Sequence, residues 1–147
     1  MIYDMMAKSP LGKDPKVFAA ICFIAVCLLI WVSQQVGIGY RGSLIYVGAL
    51  FGTTMAMNVW MRIWPSQKKI INGIKTGPPA DASIVALAGT RSKHNTYMSV
   101  PLVWAMINSH STALDSPSAW LIMPVLILVS WGVVMMTYKK AAKIKGF

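Results

Sequence analysis

The stretch FAAICFIAVCLLIWVSQQV, residues 18–36, decides the fold because it runs for 19 residues without a charged side chain. A bilayer core about 30 Å thick needs roughly 20 helical residues at about 1.5 Å each. Outward from this stretch, residues 44–64, 95–109 and 120–138 are also apolar, and the four runs together contain a single charged side chain, Arg62. The sequence therefore predicts an all-α membrane protein.

We predict one integral membrane domain over residues 1–147, built as a four-helix transmembrane bundle. The expected helices are 18–36, 44–64 with an extension to 75, 95–109 and 119–138. Residues 37–43 form so short a connection that the first two helices should be antiparallel neighbours. The third helix is short, carries Pro101 and has polar ends, so we expect it to lie inside the bundle.

The distribution of positive charge predicts the orientation. With both termini in the cytoplasm, 13 of the 14 Lys and Arg residues lie on the inner side and only Arg41 lies outside. Because inner loops of membrane proteins are enriched in Lys and Arg, we predict a multi-pass protein of the cytoplasmic membrane with cytoplasmic termini.

The net charge of +10 has the same origin and does not predict nucleic-acid binding. The basic residues are spread over several loops without a nucleic-acid-binding motif, whereas anionic lipid headgroups attract such loops by about 1 kcal/mol per residue.

Conventional enzyme chemistry has few candidates in this chain. Glutamate is absent and the four aspartates lie outside the apolar runs, which excludes a paired-carboxylate site within the membrane. Cys22 and Cys27 are five residues apart in one helix, about 140° around its axis, so they cannot form a disulfide with each other. The eleven methionines are scattered over several segments and fill apolar gaps more plausibly than they bind copper.

The second helix carries signals for helix packing. Gly48, Gly52 and Ala56 recur every four residues, a pattern that lets another helix approach closely in lipid. Asn58 lies at membrane depth, where an unpaired amide is costly, so it should face protein. Pro65 should kink this helix or mark its inner end, and residues 77–79 should stop the extension.

The densest polar segment, residues 90–97, precedes the third helix and is the place to look for function. Asp81 or Ser83 is expected to cap a short helix over residues 84–88, with Gly89 ending it.

His94 and His110, the only two histidines, bracket the third helix. Sixteen helical residues place them about 24 Å apart, so they cannot share one metal ion or haem. Each could ligate a separate centre completed by a partner. His110 is the better metal candidate because residues 108–117 lack basic residues. For either histidine, a solvated or hydrogen-bonded ring is the simpler alternative.

A family resemblance rests on motifs in the second half of the chain. These are Asn58-Val59-Trp60, Trp64-Pro65-Ser66-Gln67, Arg91-Ser92-Lys93-His94-Asn95-Thr96-Tyr97 and Ser109-His110. They resemble elements of the membrane-embedded urate hydroxylases, the urate oxidase N-terminal domain family, over about residues 44–140. Members of that family look like eight-helix domains, often with a cytochrome c module, so the chain resembles the C-terminal half only. The resemblance implies that His94, Asn95, Tyr97 and His110 are site residues.

Two functional hypotheses follow. In the first, the chain is a small accessory subunit of a larger membrane-bound oxidoreductase and packs against other integral membrane subunits in a hetero-oligomer, without catalysis of its own. In the second, it is a redox module in which His94 or His110 ligates haem b, or a copper or iron ion shared with a partner.

Overall fold

The structure, a computed structural model, describes residues 2–111 and 118–144, and all regular structure within these ranges is helical. The helices are α1 Ile2–Lys8, α2 Pro15–Gln35, α3 Tyr40–Asn58, α4 Trp64–Thr76, α5 Ala82–Asn108 and α6 Ala119–Ala141, with a short 3₁₀ turn at Pro10–Gly12. A π-helical turn, Val59–Ile63, joins α3 to α4 without a break. The all-α prediction is confirmed.

Three helical segments are long and apolar enough to cross a membrane: Pro15–Gln35, Tyr40–Thr76 and Trp120–Ala141. They correspond to three of the four predicted membrane helices. The fourth predicted helix, 95–109, is part of α5, whose first half carries the polar segment 90–97. Because of that polar half, α5 is long enough to cross a membrane but is less apolar than the three segments.

The start of α5 differs from the expected arrangement. Asp81 caps the helix by accepting a hydrogen bond from the Ser83 backbone N–H at 2.9 Å, and the helix then runs through Gly89 to Asn108. A glycine inside a helix costs about 1 kcal/mol relative to alanine, which is too little to end a helix that packs along its length. The predicted separate helix at 84–88 was therefore wrong, and residues 84–109 do not divide at Gly89.

The other helix limits follow from caps and glycines. Asp14 accepts a hydrogen bond from the Lys16 N–H at 2.8 Å, and Pro15 occupies the first turn of α2, so this helix starts three residues earlier than predicted. Gly77 adopts a φ of +98° at the end of α4. This left-handed conformation suits glycine and confirms the predicted end of the extension.

The π-helical turn lies immediately before Pro65. Proline lacks an N–H donor, and its ring would collide with the carbonyl four residues earlier in a regular α-helix. Here the Trp64 N–H bonds to the Val59 carbonyl five residues back. The wider turn explains how the helix passes a proline and continues to Thr76.

One apolar core joins α2, α3, α5 and α6. Its most buried side chains include Ile30, Leu44, Val47, Met123 and Ile127. The outer surfaces of the same helices expose large apolar side chains, among them Ile24, Leu28, Val125 and Val129. An apolar surface of this extent is typical of a protein that contacts lipid or other proteins.

α3 and α5 form an antiparallel pair that uses the small residues of α3. A Cβ atom on Gly48 would lie 3.7 Å from Leu102 Cδ1 and 3.8 Å from Ala105 Cβ, and one on Gly52 would lie 3.8 Å from Leu102. The glycine face is thus occupied by this chain's own α5. Ala56 is exposed and does not extend that face.

Candidate functional site

A partly buried polar cluster lies where α1, α2, the end of α3, the π-helical turn and α5 meet. We call it the α1 cluster. Its members are Tyr3, Asp4, Phe18, Asn58, Arg62, Arg91, His94 and Asn95. Positions 91, 94 and 95 share one face of α5 because residues three and four apart are neighbours on a helix.

Asp4 joins two arginines from different helices. Arg62 donates to both carboxylate oxygens, through Nε to Oδ1 at 2.8 Å and through Nη2 to Oδ2. Arg91 Nη2 donates to Oδ1 at 3.0 Å, and Lys8 Nζ lies 3.4 Å from Oδ2. The hydrogen bonds from Arg62, aided by the charges of Arg62, Arg91 and Lys8, lower the pKa of Asp4 from 3.8 to about 2. One carboxylate therefore faces three cations.

Arg91 is buried, with only 2% of its surface exposed. Its guanidinium group also lies over the Tyr3 ring, 5.3 Å from the ring centroid. Its Nη1 atom is buried and has no hydrogen-bond partner among the residues that the structure describes. An unpaired buried donor costs about 1–3 kcal/mol, and more for a charged group, so this nitrogen requires an explanation.

Tyr3 fixes the state of His94. The Tyr3 hydroxyl lies 2.6 Å from His94 Nδ1, and Asn58 Nδ2 donates to the same hydroxyl at 3.4 Å. Because Asn58 donates to this hydroxyl, we assign the hydroxyl proton to Nδ1, which corresponds to the Nε2–H tautomer of His94. His94 lies outside the three candidate spans, and burial, with the charges of Arg91 and Lys93, lowers its pKa. At neutral pH it is thus a neutral acceptor.

The His94 ring is also held by apolar contact. Phe18 stacks on it with ring centroids 5.3 Å apart and planes 18° apart, and Tyr3 meets it edge to face at 6.2 Å. The His94 ring is therefore held by a hydrogen bond at Nδ1 and by stacking on one face. Such contacts are expected of a histidine with a structural role.

Asn58 and Asn95 connect the α1 cluster to the helix pair. Asn58 Nδ2 donates to Asn95 Oδ1 at 2.9 Å, and Asn95 Nδ2 donates to the Met55 carbonyl at 3.2 Å. Only 2% of Asn58 is exposed. The prediction that Asn58 faces protein is confirmed, and its partner belongs to the same chain.

Tyr97 and His110 lie elsewhere. Tyr97 stacks on Tyr138 of α6 with centroids 6.1 Å apart, and the Tyr138 hydroxyl donates to Thr96 at 3.0 Å. His110 follows the end of α5 and is exposed. Of the four predicted site residues, the structure brings together only His94 and Asn95.

The surroundings of His110 differ from the expectation of a loop free of positive charge. Arg41, in the first turn of α3, donates through Nε to the Ser109 carbonyl at 2.8 Å. This cation sits one residue from His110. Residues 108–117 contain no Lys or Arg, but the fold brings this charge to Ser109 from the first turn of α3.

Side chains that could bind a metal ion are not grouped in the part of the chain that the structure describes. No three His, Cys, Asp or Glu side chains come together in residues 2–111 or 118–144. Each histidine could supply one ligand at most, and Tyr3 already occupies one nitrogen of His94.

Sequence reasoning missed Tyr3, Asp4 and Phe18 as members of the site. All three lie in or beside the N-terminal segment, far from residue 94 in sequence. Asp4 could have indicated that this segment belongs to the site. It is the only carboxylate before the first lysine, and its charge needs a cationic partner if the helix that carries it packs against the rest of the protein.

The family comparison extends further than the motifs predicted. A family model described as "Urate oxidase N-terminal" matches residues 1–145, almost the whole chain, rather than 44–140 alone. The restriction of the resemblance to a C-terminal half was therefore wrong, and α1 and α2 lie within the match. No curated protein and no solved structure matches the chain.

Proposed function

Because the chain belongs to the urate oxidase N-terminal family, we propose that it is an integral membrane subunit of a larger membrane-bound oxidoreductase, which it stabilises or helps to assemble. The observation that carries this proposal is the α1 cluster. Its polar side chains are suited to binding and orienting another molecule. By contrast, the described residues contain no group of three or more potential metal ligands. Electron transfer would then depend on a cofactor held by a partner subunit.

The membrane arrangement is part of the proposal. The chain crosses the cytoplasmic membrane four times, as a four-helix bundle with α5 as the third crossing over residues 95–109 and both termini in the cytoplasm. The distribution of Lys and Arg supports this orientation. Exposed tryptophans add support, with Trp31 and Trp120 near the proposed outer ends and Trp60 and Trp64 near the inner ends. Tryptophan is enriched at both interfaces of a bilayer.

Cysteine labelling tests the topology. In a background without Cys22 and Cys27, His110→Cys should react with a membrane-impermeant maleimide added to intact cells, and Lys140→Cys should react only after the membrane is opened. Both positions are exposed in the structure, so a difference between them reports on sidedness rather than burial. The reverse pattern would refute the orientation.

Purification in mild detergent tests the subunit role. The tagged chain should co-purify with a subunit that carries haem or a redox metal. Because of the family description, urate is the first substrate to test with the complex. Urate consumption should be present in membranes with the assembled complex and absent from the isolated chain. A colourless, stable, solitary chain from native membranes would contradict the proposal.

A second candidate is a redox module in which a histidine ligates haem b or a copper or iron ion. The observation that favours it is the exposure of His110, which would allow its side chain to reach a centre completed by a partner. A haemochrome spectrum and metal analysis of the purified complex test it. Haem or metal lost in His110→Ala but retained in His94→Ala would support His110 as the ligand.

A further inference from the structure

The guanidinium pair of the α1 cluster has more donors than its present partner uses. Arg62 and Arg91 converge on the single carboxylate of Asp4, and Arg91 Nη1 stays buried without a hydrogen-bond partner in the described residues. Arginine pairs bind carboxylates well because the planar guanidinium group presents parallel N–H donors. We infer that Arg62 and Arg91 form a binding site for a small carboxylate ligand, which Asp4 of α1 occupies when no ligand is present.

α1 is held in place by few contacts. It has seven residues and none of them is buried, whereas isolated helices shorter than about 12 residues are marginal in water. Its inward contacts include the Asp4 ion pairs and the Tyr3 side chain, which bonds His94 and Asn58, packs on Phe18 and lies under the Arg91 guanidinium group. A carboxylate ligand that displaced the Asp4 side chain from the arginines would remove the ion pairs that hold α1 in place.

A cleft beside α1 reaches Asp4, which holds the two arginines, although neither arginine lines the cleft. The cleft, of about 70 Å³, is lined by Tyr3, Asp4 and Asn58, together with Thr53, Thr54, Met57 and Met61. A ligand that enters there therefore reaches the two arginines only after Asp4 has moved aside.

Competition with Asp4 sets the concentration that a ligand needs. A tethered group acts at an effective concentration in the millimolar range, so a free monocarboxylate displaces Asp4 only at comparable or higher concentrations. Removal of the Asp4 carboxylate should therefore tighten apparent binding of acetate by at least about tenfold. This inference does not depend on the subunit role, because it concerns the isolated chain.

The test measures thermal unfolding of the full chain in detergent with sodium acetate as the probe, against sodium chloride at equal ionic strength. Asp4→Ala should gain stability from acetate at concentrations at least about tenfold lower than the wild type requires. Adding Arg91→Met to Asp4→Ala should abolish the gain. If Asp4→Ala folds only in acetate, that outcome itself supports the site. Asp4→Asn, which keeps the shape of the side chain, then serves as the second variant.

Two results would overturn the inference. One is a folded Asp4→Ala and a folded Asp4→Asn that respond identically to acetate and chloride. The other is stabilisation by inorganic phosphate without any by acetate, which would assign the pair to a different anion.

Discussion

Asn58 Nδ2 donates a hydrogen bond to Asn95 Oδ1 across 2.9 Å, and this contact joins α3 to α5 at the edge of the α1 cluster. The sequence placed Asn58 at membrane depth and required a partner for its amide. The partner is an amide of the same chain, so a neighbouring subunit is not needed to shield it.

Asn58→Ala should lower the free energy of unfolding by about 1 kcal/mol, because interhelical hydrogen bonds in membrane proteins contribute about 0.6 kcal/mol on average and at most about 1.7 kcal/mol. Unfolding by denaturing detergent measures the change. Combined with Asn95→Ala in a double-mutant cycle, the two changes should be non-additive. Strict additivity would show that the two amides do not interact.

Gly48→Leu should destabilise the chain by about 1–3 kcal/mol, the usual cost of an overpacked core, because its side chain would meet Leu102 and Ala105. Gly48→Ala should be tolerated, since a Cβ there finds ordinary contact distances of 3.7 and 3.8 Å. Gly132→Leu in α6 is the matched control because a Cβ there meets nothing within 4 Å. Thermal unfolding and gel filtration in detergent measure the difference, and equal effects at the two sites would contradict the packing.

Asp4→Asn should remove a pH-dependent part of the stability. The folded pKa of Asp4, about 2, lies below its ordinary value of 3.8, so its contribution is present above about pH 4 and is lost as the pH falls toward 2. The stability difference between wild type and Asp4→Asn should therefore shrink over that interval. Unfolding curves at pH 2 to 6 measure it, and a constant difference would exclude the ion pairs as its source.

Tyr3→Phe should cost about 1 kcal/mol, because it removes the hydroxyl that lies 2.6 Å from His94 Nδ1 while keeping the ring contacts. The ¹⁵N chemical shifts of His94 should move away from those of a pure Nε2–H tautomer. Tyr97→Phe is the control, since Tyr97 packs on Tyr138 through its ring. Unchanged imidazole shifts in Tyr3→Phe would contradict the assigned tautomer.

The helices were largely predictable because long runs without charged side chains favour helices in lipid, and the signals at Asp81 and Gly77 act locally. The cap at Asp14 was missed, and with it the first three residues of α2. The continuation of α5 through Gly89 was not predictable in the same way. It depends on packing against α3 and α4, which outweighs a small propensity cost.

The site was predictable only where its members are close in sequence. His94 and Asn95 were identified from a dense polar segment, whereas Tyr3 and Asp4 reach them only through the folded position of α1. The contact of Arg41 with Ser109 was missed for the same reason. Each of these contacts joins two segments that are far apart in sequence, and no pattern within either segment predicts the contact.

The π-helical turn ahead of Pro65 has an evolutionary consequence. A turn of this kind accommodates one more residue than an α-helical turn, and every side chain after it is rotated by about 100° relative to an uninterrupted helix. Arg62 lies within that extra turn and reaches Asp4 from there. A homologue without the proline would have no steric reason to keep the additional residue, so we expect it to carry a one-residue deletion within 59–63 and a different partner for the N-terminal carboxylate.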